Sequence, residues 1–206
     1  MLKSRKLHKI LGVILVLPMF GWAITGFVFF IKPGYEGAYE TLKLKTYPLS
    51  EGVVIPSGHN WTEARVLKSI LGKHLLVQEE GKTRHLDLAT LENKPLPSQD
   101  DLTRLFSDVI SQNPQRYGSL IERQGLVAQT STGIKIELDW DTLRFTQSGL
   151  DKKIINTLYK VHYLQWTPWA GVNRVLGLLG LGFVALITIF GVCLLVKGSK
   201  IKKPAF

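Results

Sequence analysis

The chain has 206 residues, 45% of them hydrophobic, and a formal charge of +10. That length would suit one soluble domain, but the apolar and basic residues both crowd toward the two ends, which excludes an evenly built soluble globule. Residues 32–171 hold 17 basic against 16 acidic side chains, so the folded middle lacks the basic excess of a nucleic-acid binder and nucleic acid is excluded as a partner.

Residues 1–9 carry Lys3, Arg5, Lys6 and Lys9 and no acid. Residues 10–31 follow without one charge; as a helix this run is about 33 Å long, enough to cross a hydrocarbon core of roughly 30 Å. It is too long for the apolar region of a cleaved signal peptide, and "TGFVFFIKPG" offers no small-x-small cleavage site, so it reads as an uncleaved signal anchor. The mirror image closes the chain. Residues 175–196 are again uncharged, a second membrane segment is placed at 172–196, and Lys197, Lys200, Lys202 and Lys203 form a basic tail over 197–206. Basic residues flanking both segments put both termini in the cytoplasm and residues 32–171 outside. The expected location is a cytoplasmic membrane, with the bilayer as first partner.

The two apolar runs share a pattern. "KILG" opens one and "RVLG" the other, and Gly12 and Gly26 have the same spacing as Gly177 and Gly191. Small residues of this kind let helix backbones approach where lipid supplies no hydrophobic drive. These four glycines are therefore the expected packing positions.

Between the runs the pattern is mixed. "LKLKTYPL" (42–49) alternates like a strand, and 61–72 fits strand or helix. "HLLVQEEGKTRHLDL" (74–88) reads as a hairpin turning at Glu80-Gly81. This turn sets His74 opposite Asp87 and His85 opposite Leu76, on a face expected to be solvated. Residues 98–110 form an amphipathic helix with Ser98 as its cap, stopped by Asn113-Pro114. Strands follow in "SLIERQGLVAQTS", "GIKIELDW" and "LRFTQ", and a second amphipathic helix runs from Asp151 to about Gln165. The expectation is an α+β domain with an antiparallel sheet.

No G-x-S-x-G elbow, H-E-x-x-H, Walker loop or C-x-x-C-H occurs, and the one cysteine, Cys193, lies in the second apolar run. No catalytic residue and no metal site are assigned. Of the five histidines, His59 sits in a turn with no visible partner. His8 and His162 each flank a membrane run, and His162 shares a helix face with Leu158 and Ile154. Neutral imidazole on a helix is the usual axial ligand of haem b. The competing reading is an interfacial aromatic belt of Tyr159, Tyr163, Trp166 and Trp169, with His162 merely beside it. The two histidines are about a bilayer apart and cannot share one iron.

"KLHKILGVILVLPMFGWAITGFVFFIKPGYEGAYE" and "LYKVHYLQWTPWAGVNRVLGLLGLGF" resemble the PepSY-associated membrane proteins of bacteria, in a short two-span form. The marks are Leu-His before the first run, Thr25-Gly26 near its end and a second histidine before the last run. The resemblance implies a PepSY-like external domain and a setting in iron or siderophore uptake. It also implies that His8 and His162 occupy the family's membrane-edge histidine positions. Three functions are thereby expected, in this order. The first is an accessory or binding protein anchored in the inner membrane. The second is a haem-b electron-transfer protein that reduces an imported ferric chelate, assembled as a homodimer. The third is a modulator of peptidases.

Overall fold

The computed structural model describes residues 2–50, 52–55 and 60–201; His59 and the end of the basic tail lie outside them. The chain forms two compact units, Met1–Gly34 with Ile154–Phe206, and Tyr35–Lys153. It is α+β, with two apolar helices at the ends and a central unit containing two sheets.

The first unit is built on α1 (Leu2–Ile31) and α6 (Ala170–Ile201), with the C-terminal part of α5 (Leu150–His162) joining them. Both long helices are apolar all round, as a segment facing hydrocarbon must be. Only 11% and 6% of their most apolar windows are buried. A core helix of a soluble protein would be mostly covered, so these two are long and apolar enough to cross a membrane and are not explained by an interior. They pack antiparallel. A Cβ on Gly12 would lie 3.6 Å from Ile187, and one on Gly191 would lie 3.6 Å from His8. Gly180 makes the tightest approach, facing Leu164 at 2.7 Å and Trp22 at 3.4 Å. Gly177 has only the Tyr163 carbonyl nearby, and Gly26 faces nothing within 4 Å. Within one chain, then, Gly12, Gly21, Gly180 and Gly191 each face a side chain within 3.6 Å, while Gly26 has none within 4 Å.

The central unit opens with a short helix, α2 (Tyr35–Ala38). Residues 42–49 are extended but join no sheet ladder among the described residues; Tyr47 N–H donates to the Lys68 carbonyl of β1. The alternation expected of a strand has another use there, since Leu42 and Leu44 point into the core. Strands β1 (Glu63–Ser69), β2 (Gly72–Glu79) and β3 (Lys82–Leu86) form an antiparallel meander. The β2–β3 hairpin turns at Glu80 and Gly81, both with positive φ (50° and 76°). That is the type I′ geometry whose twist matches the flanking strands.

Helix α3 (Gln99–Ile110) is capped by Ser98, whose Oγ accepts from Asp101 N–H while its hydroxyl proton goes to the Asp101 carboxylate at 2.8 Å. After it come α4 (Pro114–Tyr117) and the meander β4 (Leu120–Gln124), β5 (Val127–Thr130), β6 (Lys135–Asp139) and β7 (Arg144–Ser148). Leu102, Leu105, Phe106, Val109 and Ile110 of α3 pack with Ile136, Leu138 and Phe145 of the second sheet and Leu76 of the first. Each such side chain contributes about 1.5–3 kcal/mol. Strand β2 is covered on both faces, Leu76 joining that core while Leu75 and Val77 join a second cluster with Leu86.

Candidate functional site

In the first unit the site is built around His162, the last residue of α5. Trp22 Nε1–H donates to the His162 carbonyl at 2.6 Å and ties the end of α5 to α1. Thr25 Oγ1 lies 2.6 Å from the Gly21 carbonyl, 3.3 Å from the Trp22 carbonyl and 2.8 Å from His162 Nδ1. Carbonyls only accept, so the single hydroxyl proton goes to Gly21, one turn earlier, in the usual back-bond of a helical threonine. Thr25 must then accept from His162 Nδ1–H. In the neutral ring this leaves the lone pair on Nε2. Thr25 is 2% exposed, so the bond is sheltered from competing water. Phe29 meets the imidazole edge-on at 5.1 Å and also stacks on Tyr159 at 4.6 Å, which completes the clamp on the ring.

Beside the imidazole is a cavity of about 360 Å³, walled by Trp22, His162, Tyr163, Leu164, Gly177, Leu181 and Val184. It is apolar except for the histidine. A Cβ on Gly177 would lie 3.8 Å from the Tyr163 carbonyl, so at this position the wall is bare backbone.

His8 is placed differently. Its ring packs against Gly191, and its Nδ1 is buried without a hydrogen-bond partner. Nothing orients that imidazole as Thr25 orients His162. His8 and Thr25 are 17 residues apart on one helix, about 25 Å along the axis, so the two histidines are not brought together within a chain. Of the aromatic belt, Tyr163, Trp166 and Trp169 are exposed; Tyr159 is instead held in the stack on Phe29.

The central unit holds a second cluster, and it overturns the expectation of a solvated face. His74 and His85 are 0% and 2% exposed. His85 Nδ1–H donates to the Trp140 carbonyl at 2.8 Å, His74 Nδ1–H to His85 Nε2 at 2.9 Å, and Ser69 O–H to His74 Nε2 at 2.7 Å. The carbonyl at one end fixes every proton in this order. All four ring nitrogens are committed, so the pair has no lone pair free for a metal. Burial, followed by the nearby His85, pushes the His74 pKa down to about 3; burial lowers that of His85 as well. The hydroxyl–imidazole–imidazole order looks like a nucleophile with its base. Yet Ser69 is 2% exposed, and a base this weak is nearly powerless near neutral pH. The cluster is a clasp that ties β2 and β3 to the β6–β7 loop.

No family model, curated protein or solved structure matches the chain.

The sequence singled out His162 and marked Thr25-Gly26, but paired neither Thr25 nor Trp22 with that histidine. A signal for the first was there, since Thr25 is the one hydroxyl within residues 10–31. Such a group in an apolar run needs a reason.

Proposed function

We propose that the chain is a PepSY-like accessory protein anchored in the bacterial inner membrane by α1 and α6, working in iron or siderophore uptake, and that its helix hairpin holds haem b through His162. The observation that carries the haem part is the Thr25–His162 bond. Metal-ligating imidazoles almost always donate their other N–H to an acceptor, which fixes tautomer and orientation. Here that acceptor is in place, Nε2 makes no hydrogen bond among the described residues, and His162 lines an apolar cavity. The residues thus fit haem: His162 would hold it, and the group when bound would supply one-electron transfer.

Thr25 holds the Nδ1 proton, Phe29 packs on the ring, Trp22 holds the His162 backbone, and the cavity walls are apolar. His8 does not fit in the same way, because its Nδ1 has no acceptor. In the two-fold dimer that would place two histidines about one iron, His162 is the ligand this geometry favours. In this reading the central unit faces the outside, both basic ends face the cytoplasm, and the central unit engages the partner or imported ligand.

The test is a reduced-minus-oxidised absorption spectrum of the full chain, purified in mild detergent from haem-replete cells. A sharp b-type α-band is expected. His162→Ala should abolish it, and Thr25→Val should weaken haem retention about tenfold or more, the usual cost of losing an orienting partner. Haem content unchanged in His162→Ala would overturn the ligand assignment. A folded protein without any band would leave the helices as an anchor alone.

A further inference from the structure

The central unit contains a groove of about 570 Å³ that none of the histidine geometry uses. One wall is the extended segment 41–46; the other is formed by β1, β3 and the β6–β7 loop. Its floor is apolar, with Leu42, Leu67, Leu76 and Phe145. Its rim carries Lys43, Arg65 and Arg144, all exposed. Among the described residues none of these three side chains makes a hydrogen bond or an ion pair. The one acid in the groove, Asp139, sits opposite Arg144 in the ladder. Its Oδ1 is instead taken by the Asp141 and Thr142 amides at 3.0 and 3.3 Å. The Thr142 hydroxyl, also in the lining, is buried without a partner.

These features do not look like a solvated charged surface. Residues 32–171 have nearly equal numbers of acids and bases, so three unpaired cations around one apolar concavity are a local excess. The volume lies within the range of small-ligand sites, which pair an apolar lining with a few polar groups. Guanidinium groups bind carboxylates through a planar fork and stack on aromatic faces, and two of the three cations are arginines.

We infer that this groove binds a small organic anion with an aromatic body and a carboxylate head. The ring lies on the leucine and phenylalanine floor, the carboxylate faces Arg65 and Arg144, and the Thr142 hydroxyl gains its missing partner. This deepens the binding role proposed above by naming a ligand class. It does not depend on haem.

The probe is 2-naphthoate, titrated by equilibrium dialysis against the full chain in phosphatidylcholine nanodiscs, with empty nanodiscs subtracted. Saturable sub-millimolar binding is expected, with 2-naphthamide, the uncharged analogue, at least about tenfold weaker. Arg65→Gln and Arg144→Gln should each weaken naphthoate about fivefold or more. Thr83→Trp, which fills the mouth of the groove, should abolish binding. Lys135→Gln, an exposed cation on β6 outside the groove, should change nothing. The four positions are exposed, so the variants should fold, and circular dichroism checks that they do. Equal binding of acid and amide, indifference to both arginine changes, or no saturation at millimolar probe would each overturn the inference. A missing haem band with intact naphthoate binding would sink only the haem reading.

Discussion

Lowering the pH from 7 to 5 should weaken the central unit by about 2 kcal/mol through His74 alone. The neutral ring is the form the fold accepts, because the folded pKa is pushed down to about 3 by burial. An unfolded histidine titrates near 6.5. The stabilisation is therefore complete above about pH 6.5 and is lost as the pH falls from there toward 3. Between those limits the unfolded ring takes up a proton that the folded ring refuses, and the slope is about 1.4 kcal/mol per pH unit. By pH 4 the loss from this residue is about 3 kcal/mol, a substantial share of the 5–15 kcal/mol typical of a domain. His85, also held low by burial, adds in the same direction.

The assay is urea unfolding of the full chain in detergent at pH 7, 6 and 5, followed by tryptophan fluorescence. Of the five tryptophans, Trp140 lies 4.5 Å from the His85 ring and 5.8 Å from the His74 ring, so its share of the signal reports on the cluster. The reference is the double variant His74→Leu, His85→Leu, which keeps the apolar volume and removes both titrations. Its stability should be nearly flat across this range. If wild type and variant show the same slope, or if the wild type gains stability on acidification, the burial argument is wrong.

Two further outcomes follow from packing and capping. Gly180→Val would push a side chain into Leu164 and Trp22; such overpacking costs about 1–3 kcal/mol, so the thermal midpoint in detergent should fall, and an unchanged midpoint would refute the close approach. Ser98→Ala removes the α3 cap and should cost about 1 kcal/mol in urea, whereas Ser98→Asp should restore most of it.

The local signals were readable where the chain itself supplies the physics. Glu80-Gly81 announced its turn, Ser98 its cap, and the uncharged runs their two long helices. Tertiary partnership was less legible. The alternation at 42–49 is real, but it serves core contacts by Leu42 and Leu44 rather than a ladder. The His74 face was expected to meet water because the alternation of β2 shows which side chains share a face, not what covers them. What covers His74 and His85 is Trp140, more than fifty residues away in sequence. His162 stood out beside an apolar run, yet its orienting group lies 137 residues earlier, and only the fold brings the two together. The second amphipathic helix also stops at His162 rather than near Gln165, because Leu164 takes a positive φ (54°) and turns the chain.

The clasp from Ser69 to Trp140 has one more consequence. A row of hydroxyl and imidazoles resembles a proton wire, and a wire conducts only if every bond in it can reverse. Here the terminal acceptor is a peptide carbonyl, which has no proton to give back, so the whole row is locked in one sense. The feature that most resembles a conduit in this protein is an insulator.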